Sequence, residues 1–169
     1  MAFHPLASLA FEDLNLGDEW QSPARTVTEA DVVAFAGLSG DFNPLHVDHE
    51  AARAGSFGRP VAHGLLGLAI VSGLGSTAPR VATIAFLAID EWAFLRPIAI
   101  GDTVHVLSRV ESVTPKARGR RALVVWRRRL VNQRGETVQE GRTRTLVLGR
   151  AAAGDPPADP HAEGPDPAG

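Results

Sequence analysis

The most constraining feature of the sequence is an apolar run at 64–74, GLLGLAIVSGL, which contains no charged residue. A helix that is apolar on all its faces is stable only when it is buried. A chain that forms such a helix therefore needs enough surrounding structure to cover it. The segments after residue 81 can supply this cover, because their hydrophobic pattern changes to the period of two that is typical of strands. We therefore expect an α+β fold in which an antiparallel sheet wraps around one central apolar helix.

Four segments carry the strand pattern and are separated by turn-forming residues. They are 81–97, 103–113, 121–131 and 137–148. The sequence NQRG between the last two segments favours a hairpin. Val104, Val106 and Val110 fall on one face of the second segment, so this face is predicted to point to the core. The second half of the chain therefore predicts an antiparallel meander.

Helices are predicted before the apolar run. Thr28 and Asp31 have the spacing of a capping box, with Asp in the place of the usual Glu or Gln. Apolar residues follow at helical intervals and predict a helix over 28–38. A second short helix is expected to begin near Asp48 and to end at Gly55.

The 169 residues allow one domain, which we place at 1–150. Residues 151–169 hold 5 of the 12 prolines, four acidic residues and no large apolar residue, so they predict a disordered acidic tail. The absence of cysteine excludes disulfides, thiolate metal sites and cysteine nucleophiles. No signal peptide is recognisable at 1–10, so a cytoplasmic location is expected. No run approaches the roughly 20 apolar residues that a membrane span needs.

The basic charge is concentrated in one stretch. Residues 114–150 hold 11 Lys or Arg and two Glu, whereas residues 1–113 hold six Arg and 13 acidic residues. Strand alternation places Arg127 and Arg129 on one face and Arg128 on the other, and we expect these residues to form solvated sheet surface. The net charge of −2 and the lack of aromatic residues near this stretch, apart from Trp126, argue against nucleic-acid binding.

The densest cluster of polar residues is SGDFNPLHVD at 39–48. Asp41 and His46 flank a proline-containing turn, so their side chains can converge from opposite sides of a loop. Such a pair can hold a water molecule, remove a proton from it and deliver a proton to a neighbouring carbon. The alternative is a capping aspartate and a surface histidine in an ordinary loop.

His63 and Gly64 lead into the apolar helix. A helix N-terminus presents unpaired N–H groups and the positive end of the helix dipole. Because Gly64 has no Cβ, a ligand oxygen can approach its amide closely, as an oxyanion hole requires. The alternative is that Gly64 only relieves packing at a tight helix entry.

Together these residues resemble the signature of the MaoC-like dehydratases, or R-specific enoyl-CoA hydratases (hydratase 2), which have the hot-dog fold. The matching segments are SGDFNPLH at 39–46, FG at 57–58 and AHG at 62–64, with RTVTEADVVAFA at 25–36 and FLRP at 94–97. The resemblance covers about 11–113 and implies an α+β hot-dog domain.

The resemblance also implies roles for individual residues. Asp41 and His46 would polarise a water that adds syn across the 2,3 double bond of a trans-2-enoyl-CoA and gives the (R)-3-hydroxyacyl-CoA. Asn43 would hold the loop, and the backbone N–H of Gly64 would bind the thioester carbonyl. No metal or redox cofactor is expected. Candidates for contact with the phosphates of coenzyme A are Arg118, Arg120 and Arg121.

Similar proteins form dimers whose sheets join edge to edge, so a homodimer or higher homo-oligomer is expected. The substrate is expected to be an acyl-CoA, and acyl carrier protein is an alternative donor. Two other functions remain open, namely a hot-dog acyl-CoA thioesterase and a non-catalytic acyl-thioester-binding or partner subunit. A metal site at His46, Asp48 and His49 lacks the usual helical zinc pattern. The sequence GLGSTA at 73–78 follows a helix, so it predicts a helix end and not a dinucleotide site.

Overall fold

The computed structural model describes residues 8–150, so the tail predicted at 151–169 lies outside the described residues. The helices are α1 Glu29–Ser39, α2 Pro44–Val47, α3 His49–Ala54 and α4 Gly64–Gly75. The strands are β1 Glu19–Gln21, β2 Arg25–Thr26, β3 Thr83–Phe94, β4 Thr103–Lys116, β5 Arg121–Asn132 and β6 Thr137–Leu148. Short 3₁₀ helices lie at Phe11–Asp13 and Ala117–Gly119. The four helices precede the four long strands of an antiparallel sheet, as the sequence predicts for an α+β fold. None of the helices in residues 8–150 has the length and hydropathy of a membrane span.

The six strands form one antiparallel sheet. Its order is β1-β4-β5-β6-β3, and β2 pairs with β4 beside β1. The three hairpin-linked strands β4, β5 and β6 pair along nearly their whole lengths. β3 pairs only with β6 among the described strands, so its other edge is open. A twelve-residue strand therefore lies at the edge of the sheet.

The predicted helix starts and stops are confirmed within one or two residues. Thr28 Oγ1 accepts from the N–H of Asp31 at 3.3 Å, and the Asp31 carboxylate accepts from the N–H of Thr28 at 2.8 Å. Asp serves in the capping box because its shorter side chain still reaches the Thr28 amide. α4 ends at Gly75, which confirms the helix end predicted at 73–78. The sequence missed α2, β1 and β2, which have four, three and two residues.

α4 is only partly buried in one chain. Its inner face packs Leu66, Ile70 and Val71 against Val104 and Val106 of β4, which are fully buried. The opposite face is exposed, and its members at helical spacing are Leu65, Ala69, Ser72 and Gly73. The expectation that this helix is covered on every side is therefore wrong for a single protomer. The physical reason is that the sheet of one chain covers one face of the helix.

The arginines of β5 alternate as predicted, but the expectation that they are all solvated is wrong. Arg127 pairs with Glu140 at 2.8 Å and Arg129 with Glu19 at 3.2 Å, both on the outer face of the sheet. Arg128 points inward and is only 8% exposed. Successive side chains of a strand point to opposite faces of the sheet, so Arg128 must point inward when Arg127 and Arg129 point outward.

A buried carboxylate fixes the turn between β3 and β4, which packs against the segment that leads into α4. Asp102 accepts hydrogen bonds from the N–H of Ala99 at 2.9 Å, from Gln133 at 2.8 Å and from Arg134 at 3.2 Å. The carbonyl of Ile98 in this turn accepts from the N–H of Ala62 at 2.8 Å. Asp102 therefore helps to hold the backbone from which α4 begins.

This network predicts an acid-dependent stability. Burial acts to raise the pKa of Asp102, but the hydrogen bonds from Gln133, Ala99 and Arg134 outweigh it and hold the pKa below its ordinary value. Hydrogen bonds from Asn132 and Arg134 lower the pKa of Glu136 to about 2. A lowered carboxyl pKa stabilises the fold above the ordinary pKa, and this contribution is lost as the pH falls through the folded-state pKa.

We expect Arg134→Gln to lower the melting temperature by about 2–4 °C at neutral pH. The difference from the wild-type protein should shrink as the pH falls below about 4 and should keep shrinking through about pH 2, because Glu136 becomes protonated as the pH falls through its folded-state pKa. Thermal unfolding followed by circular dichroism between these pH values measures it. A difference that stays constant over this range would contradict the assignment.

Candidate active site

The loop after α1 carries the predicted acid-base pair. α1 is capped at its C-terminal end by Gly40, whose φ of 77° is the left-handed conformation that glycine adopts readily. The N–H of Asn43 then donates to the Asp41 carboxylate at 3.2 Å, and the Asn43 side chain accepts from the N–H of Leu45 at 3.0 Å. Asn43 therefore caps α2 and ties its first turn to Asp41. Loop composition and the proline at the start of α2 explain why the chain turns here.

Asp41 and His46 are brought together by this turn. The Asp41 Oδ2 atom lies 4.0 Å from His46 Nε2, which is too long for a direct hydrogen bond. One water molecule at about 2.8 Å from each atom fits this separation. The imidazole is nearly buried, with 11% of its side chain exposed, whereas the carboxylate is 53% exposed. The two groups thus share a position that is open to solvent and to a substrate.

The hydrogen bond on the other ring nitrogen sets the tautomer of His46. His46 Nδ1 lies 2.7 Å from the carbonyl oxygen of Val61. A carbonyl oxygen only accepts, so Nδ1 must carry the proton. In the neutral ring Nε2 therefore keeps its lone pair and faces Asp41. This arrangement leaves Nε2 able to accept a proton from a bound water.

His63 belongs to the site, although sequence reasoning gave it no role of its own. It is 2% exposed, and its Nε2 donates to the backbone oxygen of Asp41 at 2.9 Å. Its ring stacks on His46 with the centroids 3.8 Å apart and an angle of 29° between the planes. His63 therefore fixes both the Asp41 backbone and the plane of the His46 ring. The available signal was its place between an alanine and the first glycine of the apolar helix.

Gly64 begins α4 directly after this histidine. The N–H groups of the first helical turn have no acceptor within the helix and point out of its end. A Cβ on Gly64 would lie 3.0 Å from the ring of Phe94, so the close packing that the sequence suggested is also present. A groove of about 330 Å³ lies at this end of the helix and is lined by Gly64, Phe57, Phe94 and Gln139, among others. Gly64 can therefore both present a free N–H at the start of α4 and allow the close approach of the Phe94 ring.

Three side chains at the site have atoms of the kind that bind metals. The ligand atoms of Asp41, His46 and His63 lie within 4.8 Å of one another. A histidine binds a metal along the lone pair in its ring plane, and two stacked rings direct these lone pairs side by side. Because His46 Nδ1 and His63 Nε2 are bonded to backbone carbonyls, only His46 Nε2 and His63 Nδ1 are available to an ion, and these two atoms belong to the stacked rings. The geometry therefore suits a water between Asp41 and His46 better than a shared ion.

The arginines predicted to contact coenzyme A lie elsewhere in the protomer. Arg118 and Arg120 are in the turn between β4 and β5, and Arg121 begins β5. This turn follows the end of β4 at Lys116, and the strand runs about 43 Å from Thr103 to Lys116 at 3.3 Å per residue. One protomer therefore brings together Asp41, His46 and Gly64 and keeps these arginines away from them. Their contact with coenzyme A remains a prediction.

The fold and this loop match a known protein family. The family model described as the MaoC like domain matches residues 15–131. This span includes the Asp41–His46 loop, α4 and most of the sheet. The chain belongs to the MaoC-like domain family.

Curated relatives of this family member include a named hydratase. The (R)-specific enoyl-CoA hydratase of Rhodospirillum rubrum is 33% identical over 141 residues, which cover 83% of this chain and 92% of that protein. Protein MaoC of Klebsiella aerogenes is 39% identical over 103 residues. The match covers 61% of this chain but only 30% of the Klebsiella protein.

Solved structures of MaoC-like proteins have the same architecture. The MaoC-like dehydratase from Rhodospirillum rubrum superposes with a TM-score of 0.74 at 35% identity, over 85% of this chain and 99% of that one. A Mycobacterium tuberculosis protein described as a double hot-dog fold superposes with a TM-score of 0.76 at 21% identity, over 90% of this chain and 46% of that one. The MaoC-like chain described here therefore has the hot-dog fold that its sequence motifs imply.

Proposed function

We propose that this protein catalyses the reversible hydration of a trans-2-enoyl thioester to the (R)-3-hydroxyacyl thioester. The observation that carries the proposal is the 4.0 Å gap between Asp41 Oδ2 and His46 Nε2, which one water can bridge. The relationship to an enzyme named (R)-specific enoyl-CoA hydratase supports the same reaction. Coenzyme A is the proposed carrier of the acyl group.

In the proposed reaction the water oxygen bonds to C3 while the Asp41–His46 pair takes one proton from the water. The electron pair of the 2,3 double bond moves toward the thioester carbonyl and gives an enolate. The N–H of Gly64 donates a hydrogen bond to the enolate oxygen, where negative charge develops. C2 then receives a proton from the same pair and the carbonyl re-forms. The elements of one water molecule are added, and nothing is oxidised or reduced, so the step needs no redox cofactor.

The assay that tests the proposal follows the 2,3 double bond and the thioester bond of the same substrate. With crotonyl-CoA, hydration should remove the enoyl absorbance without release of free thiol. Thiol release without loss of the double bond would support the thioesterase alternative. Binding of the ligand with neither change would support the non-catalytic alternative. Activity should survive treatment with a chelator, because the proposed proton transfers use only side chains and a backbone amide.

We also propose that the protein is a homodimer joined at β3. Ile84, Phe86, Leu87 and Ile89 of this edge strand are 44–53% exposed. The exposed stripe of α4 adds further apolar surface. An open edge of this length and composition is a template for pairing with another strand. Pairing of β3 with a second copy would extend the sheet across a twofold axis and cover both surfaces.

The double substitution Leu87→Lys with Ile89→Lys is expected to convert the dimer to a monomer, because like charges on both chains would meet in the interface. Light scattering after size-exclusion chromatography measures the mass. Leu16→Lys is the matched control, since Leu16 is 75% exposed and lies outside β3. A double variant that remains dimeric would contradict pairing at β3.

A further inference from the structure

Arg128 is a buried cation with unused hydrogen-bonding capacity. It is 8% exposed on the inner face of β5. Its Nη1 donates to the carbonyl of Gly75 at 2.8 Å and to the hydroxyl of Ser108 at 2.9 Å. Among residues 8–150, no carboxylate pairs with Arg128 and no acceptor lies within hydrogen-bond distance of its Nη2 or Nε, while its Cζ lies 5.2 Å from the centroid of the Trp126 ring. Burial lowers the pKa of Arg128 to about 10, so the group remains a cation at neutral pH.

The last turn of α4 leaves room for this guanidinium. A Cβ on Gly75 would lie 1.9 Å from Arg128 Nη1 and 2.8 Å from Cζ. Any larger residue at this position would therefore displace the charged group. The absence of a side chain on Gly75 thus keeps the cation inside the fold, at the C-terminal end of the helix whose N-terminus carries Gly64.

A cavity of about 170 Å³ lies beside Arg128, between α4 and the sheet. Its walls are largely apolar and include Val71, Phe86 and Trp126. Arg128 and Thr143 are among the polar residues that line it. Thr143 is 2% exposed, and its hydroxyl has no partner among the described residues. An apolar cavity with a cation that has no carboxylate partner, and a hydroxyl that has no hydrogen-bond partner among the described residues, suits a ligand with an apolar body and an anionic end.

We propose that this cavity receives the far end of the acyl chain and that Arg128 selects chains that end in a carboxylate. This inference rests on the proposed hydratase function. A carboxylate would accept from the free guanidinium nitrogens and from Thr143, in charge-assisted hydrogen bonds that a terminal methyl cannot make. An acyl chain that ends in methyl would remove the remaining water from the Arg128 guanidinium without supplying a hydrogen-bond acceptor, which is unfavourable.

In the proposed dimer, the acyl chain extends from the active site of one protomer into the cavity of the other protomer. Within one protomer, Gln139 donates to the Gly64 carbonyl at 3.0 Å and accepts from Trp92 at 3.3 Å. Trp92 also packs on Gly141, so these two side chains fill the space between Gly64 and Thr143. Antiparallel pairing of β3 about a twofold axis places the Thr83 end of one strand beside the Phe94 end of the other. In the proposed dimer, the cavity of one protomer would then lie next to Gly64 of the second protomer.

The test uses two series of trans-2-enoyl-CoA substrates of matched length, one ending in methyl and one in carboxylate, from about six to about twelve carbons. For at least one length, we expect kcat/KM of the wild-type dimer to favour the carboxylate by at least about tenfold, the size of preference that one buried polar contact supplies. A preference for methyl at every length would overturn the proposal. Hydration of neither series would instead mean that the proposed function has failed.

Arg128→Met should abolish the preference for carboxylate, because kcat/KM should fall further for the carboxylate-ended substrate than for the methyl-ended substrate of the same length. Arg128→Lys should keep part of the preference, because it keeps the charge. Arg129→Met is the matched control, because Arg129 is adjacent to Arg128 in β5 but its guanidinium lies on the outer face of the sheet. If Arg128→Met lowers both series equally, or if Arg129→Met has the same effect, Arg128 is only a structural residue.

Thr143→Val gives a readout that does not depend on folding problems at Arg128. It removes a buried hydroxyl without a partner, so the melting temperature should stay the same or rise. We expect the preference for carboxylate to fall several-fold in this stable variant. An unchanged preference would remove Thr143 from the proposed site.

Mixed dimers test the contribution from the second protomer. Asp41→Asn and Arg128→Met chains are combined in equal amounts and allowed to exchange subunits. If the cavity serves the second protomer, each mixed dimer holds one intact site, and activity on the carboxylate-ended substrate returns to about a quarter of the wild-type value. Activity that stays at the mean of the two parents would show that each cavity serves its own chain and would overturn this arrangement.

Discussion

Asp41→Asn and His46→Gln are each expected to lower the turnover of crotonyl-CoA by about a hundredfold or more. Each substitution removes one of the two groups that would take a proton from the bound water, and general acid-base help of this kind is worth about 10²–10⁴-fold. The amide of Asn at 41 still accepts from the N–H of Asn43, so the loop hydrogen bond survives. Initial rates of loss of enoyl absorbance measure the effect.

The fold should survive both substitutions. The Asp41 side chain is 53% exposed, so its replacement leaves little buried surface uncompensated. Melting temperature and dimer mass are therefore measured with the rates. His49→Gln is the matched control, since His49 is three residues from His46, is 56% exposed and pairs with Glu29 away from the site. Its turnover should remain within about twofold, because exposed ion pairs contribute little.

Near-normal hydration of crotonyl-CoA by either site variant would refute the pairing of Asp41 with His46. A hundredfold loss with Asp41→Asn and none with His46→Gln would leave the carboxylate as the only base. A similar loss in His49→Gln would point to damage of the whole loop. Each result therefore distinguishes the role of one side chain.

The features that the sequence could predict are those that depend on interactions between residues close together in the chain. The capping box at Thr28 and the apolar run that becomes α4 involve residues close together in the chain, and their bounds were predicted within one or two residues. The turn that brings Asp41 near His46 is also local, because a glycine and a proline lie on either side of Asp41 and Asn43. These interactions carry their own signals in composition and spacing.

The features that sequence missed depend on contacts between distant segments. β1 and β2 are too short to show a period of two, and they exist because β4 offers them an edge. His63 stacks on His46 because Val61 and Ile98 hold its segment against the sheet. The burial of Arg128 requires the gap at Gly75, more than fifty residues away. The exposed stripe on α4 reflects the limited cover that one protomer can give.

Replacement of Gly64 by proline isolates the contribution of its N–H. Proline has no N–H, yet it is favoured at the first position of a helix. The residue before it, His63, has φ −55° and ψ 138°, a conformation that a following proline permits. Gly64→Pro should therefore preserve α4 and remove the proposed hydrogen bond to the enolate oxygen. Loss of one such donor costs about 10²–10³ in turnover in other enzymes.

Gly64→Ala is the control that separates this loss from steric effects. Its Cβ meets the same Phe94 ring at 3.0 Å, but the N–H is retained. Phe94 is 54% exposed, so its ring can move aside. We expect Gly64→Ala to lose less than about tenfold in turnover and Gly64→Pro to lose at least about tenfold more than Gly64→Ala, with similar melting temperatures. If the two variants are equally impaired, Gly64 serves packing alone, and the charge that develops on the thioester oxygen must be stabilised by another donor.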